Sequence, residues 1–299
     1  MNDCHFIPQL SIVTPTYNRA ALLARCYDSL AAQSCKDYEW IVVDDGSSDD
    51  TQQIIQKLQE TEDGFPIQYI KKDNGGKHTA LNASHPYLNG KYVLILDSDD
   101  LLKPDAVETV LREWKVYESQ DEIGILIFLR ETPDNKLCAY VKDERTPVDL
   151  LHYPRIHVVS TDCCEVLRTE LFTNHPFPVF PGERFLGETA LWYRVGAEKK
   201  VVYINTPVYV CEYLEGGLTR SGRSMRVKNP YGGMYTSELR MDCRCSWKER
   251  IRAGLLYVCY GRYARLGVGD MLRRTAHKGL IASCLLPGTC MYLLWKRKY

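Results

Sequence analysis

The chain has 299 residues, 45% of them hydrophobic and 25% charged, enough for the core of one large domain or of a domain with an appendage. Lys plus Arg and Asp plus Glu both total 38, so the formal charge is zero; no nucleic-acid partner is expected, and no repeat or low-complexity run is present. The neutrality hides an acidic body and a basic tail: residues 1–219 hold 21 Lys/Arg against 34 Asp/Glu, and residues 220–299 hold 17 against 4.

Taken in order, Leu10 to Thr14 predict a first strand, Pro15 to Arg19 a turn, and Leu23, Cys26, Tyr27 and Leu30 one apolar helix face. Trp40 to Val43 predict a second strand ending in Asp44-Asp45-Gly46-Ser47-Ser48, with a helix after Thr51. A third strand is expected at Ile67 to Ile70, a loop at Asp73 to Lys77, a short helix over 78–88 and a fourth strand over 92–96. Tyr92 to Leu96 show no alternation, which suits a strand covered on both faces. Val107, Val110, Leu111 and Trp114 then recur at helical spacing. Ile125 to Leu129 predict another buried strand, Thr189 to Val195 a helix, and Val201 to Ile204 and Val208 to Val210 two late strands around Pro207. Residues 215–233 hold five glycines with Arg220, Arg223, Arg226 and Lys228, read as a mobile basic loop before a helical, basic remainder. Strands alternating with helices predict an α/β fold with a mostly parallel, Rossmann-like sheet.

Three carboxylates, Asp97, Asp99 and Asp100, follow the fourth strand directly. Ligands of open α/β sheets gather at carboxyl strand ends, and Mg²⁺ typically takes one or two carboxylates plus substrate phosphate oxygens, so a metal-phosphate site is the simplest functional reading. An acidic turn capping the next helix is the plain alternative. Asp44 to Ser48 close the second strand in a similar way, either for a base imide and ribose hydroxyl or as an ordinary turn. Asn74-Gly75-Gly76-Lys77 offer close backbone approach and a cation for a diphosphate, or simply a turn with a solvated lysine; the Lys-Ser/Thr ending of a Walker loop is absent. Glu188 precedes the aromatic stretch Leu191-Trp192-Tyr193, where it suits a general base or a helix-start carboxylate.

Together these pieces resemble the family-two inverting glycosyltransferases of the GT-A fold, including members that make bacterial polysaccharides. The matching segments are Ser11 to Arg19, Ile41 to Asp49, Asn74 to Lys77 with Ala80-Leu81-Asn82, and Leu96 to Asp100. The resemblance implies a donor site built from Pro15, Thr16, Tyr17, Arg19, Asp45, Gly76, Lys77, Asn82, Asp97 and Ser98, with Asp45 at the base and Lys77 near the diphosphate. It implies Mn²⁺ or Mg²⁺ held by Asp99 and Asp97, and Glu188 as the catalytic base. Many members carry a Glu-Asp pair where this chain has Gly187-Glu188. Tyr213 to Thr219 also resemble a segment of polysaccharide-making members.

The expected function is therefore inverting transfer of a sugar from a nucleotide-sugar, by resemblance a UDP-sugar, to a hydroxyl of a saccharide or lipid-linked saccharide. The competing readings are a non-catalytic nucleotide-sugar-binding protein, against which Asp99 and Glu188 both speak, and a nucleotidyltransferase, whose glycine-rich basic loop would stand where Pro15 to Arg19 are. The expected domains are residues 1–220, catalytic, and 221–299, basic and helical. The start Met-Asn-Asp-Cys-His-Phe lacks a signal-peptide pattern, and the cysteines lack zinc-site spacing, which predicts a cytoplasmic protein with reduced thiols. Gly279 to Trp295 carry no charge, but the run has 17 residues and Pro287-Gly288 at its middle. A break rather than a spanning helix is expected there, leaving either an ordinary packed appendage or a peripheral element on an anionic membrane surface.

Overall fold

The computed structural model describes residues 7–62, 64–152, 163–211 and 218–299. Its first half runs β1 (Leu10–Thr16), α1 (Ala20–Ala31), β2 (Tyr38–Asp44), α2 (Thr51–Thr61), β3 (Ile67–Lys71), α3 (Lys77–Ser84), β4 (Tyr92–Ile95), β5 (Leu101–Leu102), α4 (Ala106–Tyr117) and β6 (Ile123–Glu131). It continues with β7 (Pro147–Val148), β8 (Cys163–Arg168), α5 (Thr169–Asn174), α6 (Thr189–Glu198) and β9 (Lys200–Val210). The helices α7 (Leu218–Lys228), α8 (Pro230–Leu239), α9 (Trp247–Tyr263), α10 (Val268–Arg273) and α11 (Lys278–Lys296) follow.

The described strands form one sheet in the order β3-β2-β1-β4-β8-β6-β9-β5, with β7 paired to β9. The β3-β2-β1-β4 half is parallel, as βαβ units require, and β8 enters antiparallel between β4 and β6. Every residue of β1, β2 and β4 is buried, which explains why these strands read as unbroken apolar runs. One large core contains the inward side chains of β1, β2 and β4, with Leu23, Cys26 and Leu30 of α1 and Val107, Val110 and Trp114 of α4. Tyr92 stacks on Trp114 with ring centroids 4.3 Å apart.

The chain divides into two compact units. The first comprises Met1–Asp149, Arg155–Pro176 and Glu198–Glu212 and holds the sheet. The second comprises Leu150–Pro154, Phe177–Ala197 and Tyr213–Tyr299, and so takes in the Glu188 segment along with the basic helices. Its own core gathers Met234, Tyr257, Val258, Met271, Ile281 and Cys284.

Three local expectations are corrected. The two late strands are one strand, β9, whose pairing with β6 shifts register around Leu129 and Pro207; proline has no N–H to donate and sits where the ladder is irregular. The basic loop through Arg220, Arg223, Arg226 and Lys228 is instead helical as α7, kinked at Gly222 with φ +32°, since no other residue in that run breaks a helix. Pro287-Gly288 do not end the last helix; α11 runs for 19 residues through them. The Tyr213 to Thr219 resemblance falls mainly outside the described residues. Among the described residues no disulfide joins the cysteines.

Candidate active site

The parallel pairing of β1, β2 and β4 brings their carboxyl ends to one edge of the sheet. In register, Thr16 lies beside Asp44, and Asp45 N donates to Thr16 O at 2.8 Å. Leu96 N donates to Val13 O at 2.9 Å, which carries Asp97 out over the same edge. Pro15 is the penultimate residue of β1, and Tyr17, which follows the strand, is about half exposed. Thr16 Oγ1 is buried and has no hydrogen-bond partner, an orphaned polar atom at the mouth of a central strand. Asn18, at φ +51°, links two strand ends: its N donates to Ser47 Oγ at 2.8 Å, and its Oδ1 accepts from Ser48 N at 2.9 Å.

Asp45 is 4% exposed and organises the neighbouring loop. Its Oδ1 accepts from Lys72 Nζ at 2.7 Å and Gly75 N at 2.9 Å, and its Oδ2 from Gly76 N at 2.7 Å. Gly76 holds φ +93° just before α3, a conformation a side chain would strain. Lys77 and Asn82 then stand on α3, the helix that this loop leads into. Asp44, fully buried, accepts from Ser47 N at 2.7 Å and Tyr69 OH at 2.6 Å, so it braces the turn.

The β4 end carries three different carboxylate environments. Asp97 is ion-paired with Lys77 and Asp99 with Arg19. Burial works against ionisation of Asp97, but Lys77 first, with Arg130 and Arg19, holds its carboxyl below the usual range. Asp100 turns inward instead: Tyr209 OH donates to its Oδ2 at 2.9 Å, and Arg130 is 3.9 Å away. Burial, then the charge of Asp97, pushes its pKa up to about 7. Ser98, between them, is buried. Among the described residues no group of three His, Cys, Asp or Glu side chains forms a metal cage. Two carboxylates at one strand end nevertheless fit Mg²⁺ or Mn²⁺, which typically takes one or two carboxylates and completes its shell with phosphate oxygens and water. Asp97 and Asp99 each already pair with a cationic side chain there, Lys77 and Arg19, which is the charge such an ion would replace.

Glu188 lies in the second unit, one residue before α6. Its carbonyl accepts from Leu191 N at 2.8 Å and Trp192 N at 3.2 Å, and its Oε1 is buried. The adjacent Gly187 and Thr189 line a groove with Arg226, Thr236 and Arg240, all within this unit. Nearby Glu183 accepts from Tyr231 N at 2.7 Å and Gly232 N at 2.8 Å at the start of α8.

Lys72, Arg130 and Tyr209 were not legible as site residues in the sequence. Lys72 follows an ordinary edge strand. Arg130 and Tyr209 stand on β6 and β9, far from Asp100 in sequence; the guanidinium lies 4.1 Å from the Tyr209 ring centroid, and the pair encloses Asp100 from strands that only the sheet order brings together.

Residues 11–136 match the model of glycosyl transferase family 2. A chondroitin synthase of Pasteurella multocida is 43% identical over 110 residues, 37% of this chain and 11% of that protein. A GalNAc(5)-diNAcBac-PP-undecaprenol beta-1,3-glucosyltransferase of Campylobacter jejuni is 37% identical over 111 residues, 36% of this chain and 35% of that one. The chain thus spans about a tenth and about a third of these relatives' lengths. Among solved structures, S. aureus TarS 1-349 in complex with UDP-GlcNAc aligns with a TM-score of 0.62 at 17% identity, over 97% of this chain and 92% of that one. A Pyrobaculum calidifontis mannosyltransferase in complex with GDP-Man and Mn²⁺ aligns with a TM-score of 0.58 at 17% identity, over 97% and 81%. Residues 11–136 of this chain thus match glycosyl transferase family 2, and the chain carries a GT-A fold.

Proposed function

We propose that the chain transfers a sugar from a nucleotide-sugar donor to an acceptor hydroxyl, with inversion, in the assembly of a polysaccharide or glycolipid. The observation that carries this reading is the strand edge itself. The orphaned Thr16 hydroxyl, the Asp45-pinned Gly75-Gly76 loop and the ion-paired Asp97 and Asp99 sit at neighbouring strand ends, with acceptor, donor and cation chemistry in one place.

In this reading Pro15, Thr16 and Tyr17 line the nucleotide pocket. Asp45 retains acceptor capacity for a base imide N–H beside the donors that already hold it. Asp97 and Asp99 would hold a divalent cation, which when bound would neutralise charge on the departing diphosphate. Lys77 and Arg19, released from the two carboxylates, turn to the diphosphate oxygens, with Gly76, Asn82 and Ser98 completing the donor side. Glu188 accepts the proton of the attacking hydroxyl. UDP is the preferred nucleotide, supported by the resemblance and by a similar fold solved with UDP-GlcNAc; another similar fold was solved with GDP-Man, so guanine is the alternative to test. A lipid-linked saccharide is the preferred acceptor, supported by the name of the Campylobacter relative.

The test is a thermal-shift panel of UDP- and GDP-sugars with and without Mn²⁺, because a ligand that binds only the folded state raises the melting temperature. A metal-dependent shift with UDP-sugars is expected. Shifts with no nucleotide sugar would overturn the reading.

A further inference from the structure

Helix α11 is apolar on two faces. One face carries Ile281, Cys284 and Gly288 and is buried against α9. The fit is close: a Cβ on Gly254 would come within 2.9 Å of Cys284 Sγ, and one on Gly288 within 2.7 Å of Val258 Cβ. The opposite face exposes Ala282, Leu286, Cys290, Leu293 and Leu294, spaced at three and four residues along 19 residues of helix. Leu286 is 77% exposed and Leu294 65%, so this is a stripe rather than scattered single side chains. Exposed cations bracket it, Lys278 at one end and Lys296, Arg297 and Lys298 at the other. Tyr292, Trp295 and Tyr299 gather at that second end, with Arg223 4.6 Å from the Trp295 ring centroid.

We propose that this stripe docks on the surface of an anionic lipid bilayer, lying in the headgroup plane. The arrangement is that of an interfacial helix: apolar side chains on one side, cations at both ends, and aromatic rings with polar edges at the boundary. Charge complementarity selects this occupant over a second copy of the chain. Antiparallel pairing of two such stripes would set Lys278 against Lys296 to Lys298, and parallel pairing would set each cluster against itself. The helix does not cross the bilayer, although its length would allow it. Arg262 of α9 donates to Thr289 Oγ1 at 3.2 Å, beside the middle of α11, so crossing would draw a guanidinium into hydrocarbon or strip α9 away. The inference stands apart from the donor chemistry and holds whether or not the chain transfers a sugar.

The experiment is co-sedimentation of the full chain with phosphatidylcholine vesicles, with and without phosphatidylglycerol, at low and high salt. Two variants accompany it: Leu286→Gln/Leu293→Gln/Leu294→Gln and Lys296→Gln/Arg297→Gln/Lys298→Gln. Binding is expected only with phosphatidylglycerol, weakened by salt, and reduced by at least about tenfold in each variant at an unchanged melting temperature. Three results would overturn the proposal. The first is no binding at low salt. The second is equal binding to neutral vesicles, or retention through an alkaline carbonate wash. The third is self-association without vesicle binding that the leucine variant abolishes.

Discussion

Asp100 is the carboxylate whose protonation the fold controls most directly. Its folded pKa, about 7, lies above the 3.8 of a free aspartate, so the folded state holds the proton more tightly than the unfolded chain. The resulting stability is complete below about pH 4 and is lost as the pH rises through 7, a loss of a few kcal/mol at roughly 1.4 kcal/mol per unit. Chemical denaturation of the cation-free protein at pH 5 and pH 8 should show the decline, and Asp100→Asn should flatten it. An unchanged slope in that variant would place the effect elsewhere. Asp99 differs, because its partner Arg19 is partly exposed to solvent. Asp99→Ala is expected to abolish transfer and the Mn²⁺-dependent part of donor binding while the melting temperature stays within a few degrees; full metal-dependent activity would remove it from the site. Glu188→Gln keeps the shape but cannot accept a proton, so turnover should fall by about 10²–10⁴ with near-normal donor affinity. Lost donor binding instead would make Glu188 structural.

At the scale of elements, legibility followed burial. The strands β1, β2 and β4 were readable because both faces are covered, leaving no polar alternation, and their acidic ends were readable because carboxylates are rare at the mouths of such strands. What could not be read was pairing between distant segments. Nothing near Asp100 announces that Tyr209 and Arg130 will enclose it. The same limit explains α11. Proline and glycine together predicted a break, yet Gly288 is the residue that lets α11 meet α9, and packing outweighs the local preference. Gly288→Val should therefore overpack this contact and cost about 1–3 kcal/mol. Denaturation melts would detect the loss, and an unaltered melting temperature would show that the helices are not closely packed.

At the scale of the whole molecule, the zero net charge is the sum of two opposite halves, and each half meets different chemistry. The acidic first stretch includes Asp97 and Asp99, to which the proposed function gives a cation and, through it, a diphosphate. The basic stretch from residue 220 includes the cations that flank α11 and the two arginines of the groove lined by Gly187 and Thr189. Composition gave that asymmetry from the start, but only the fold shows which of these charges border an apolar stripe. The central claim remains the donor site at the β1, β2 and β4 ends. It is tested most directly by following release of nucleoside diphosphate from UDP- and GDP-sugars by the purified chain, with and without Mn²⁺. The account predicts slow, Mn²⁺-dependent release from a UDP-sugar that Asp99→Ala abolishes. Release from none of them by folded protein that also fails to bind them, or release that Asp99→Ala leaves intact, would contradict it.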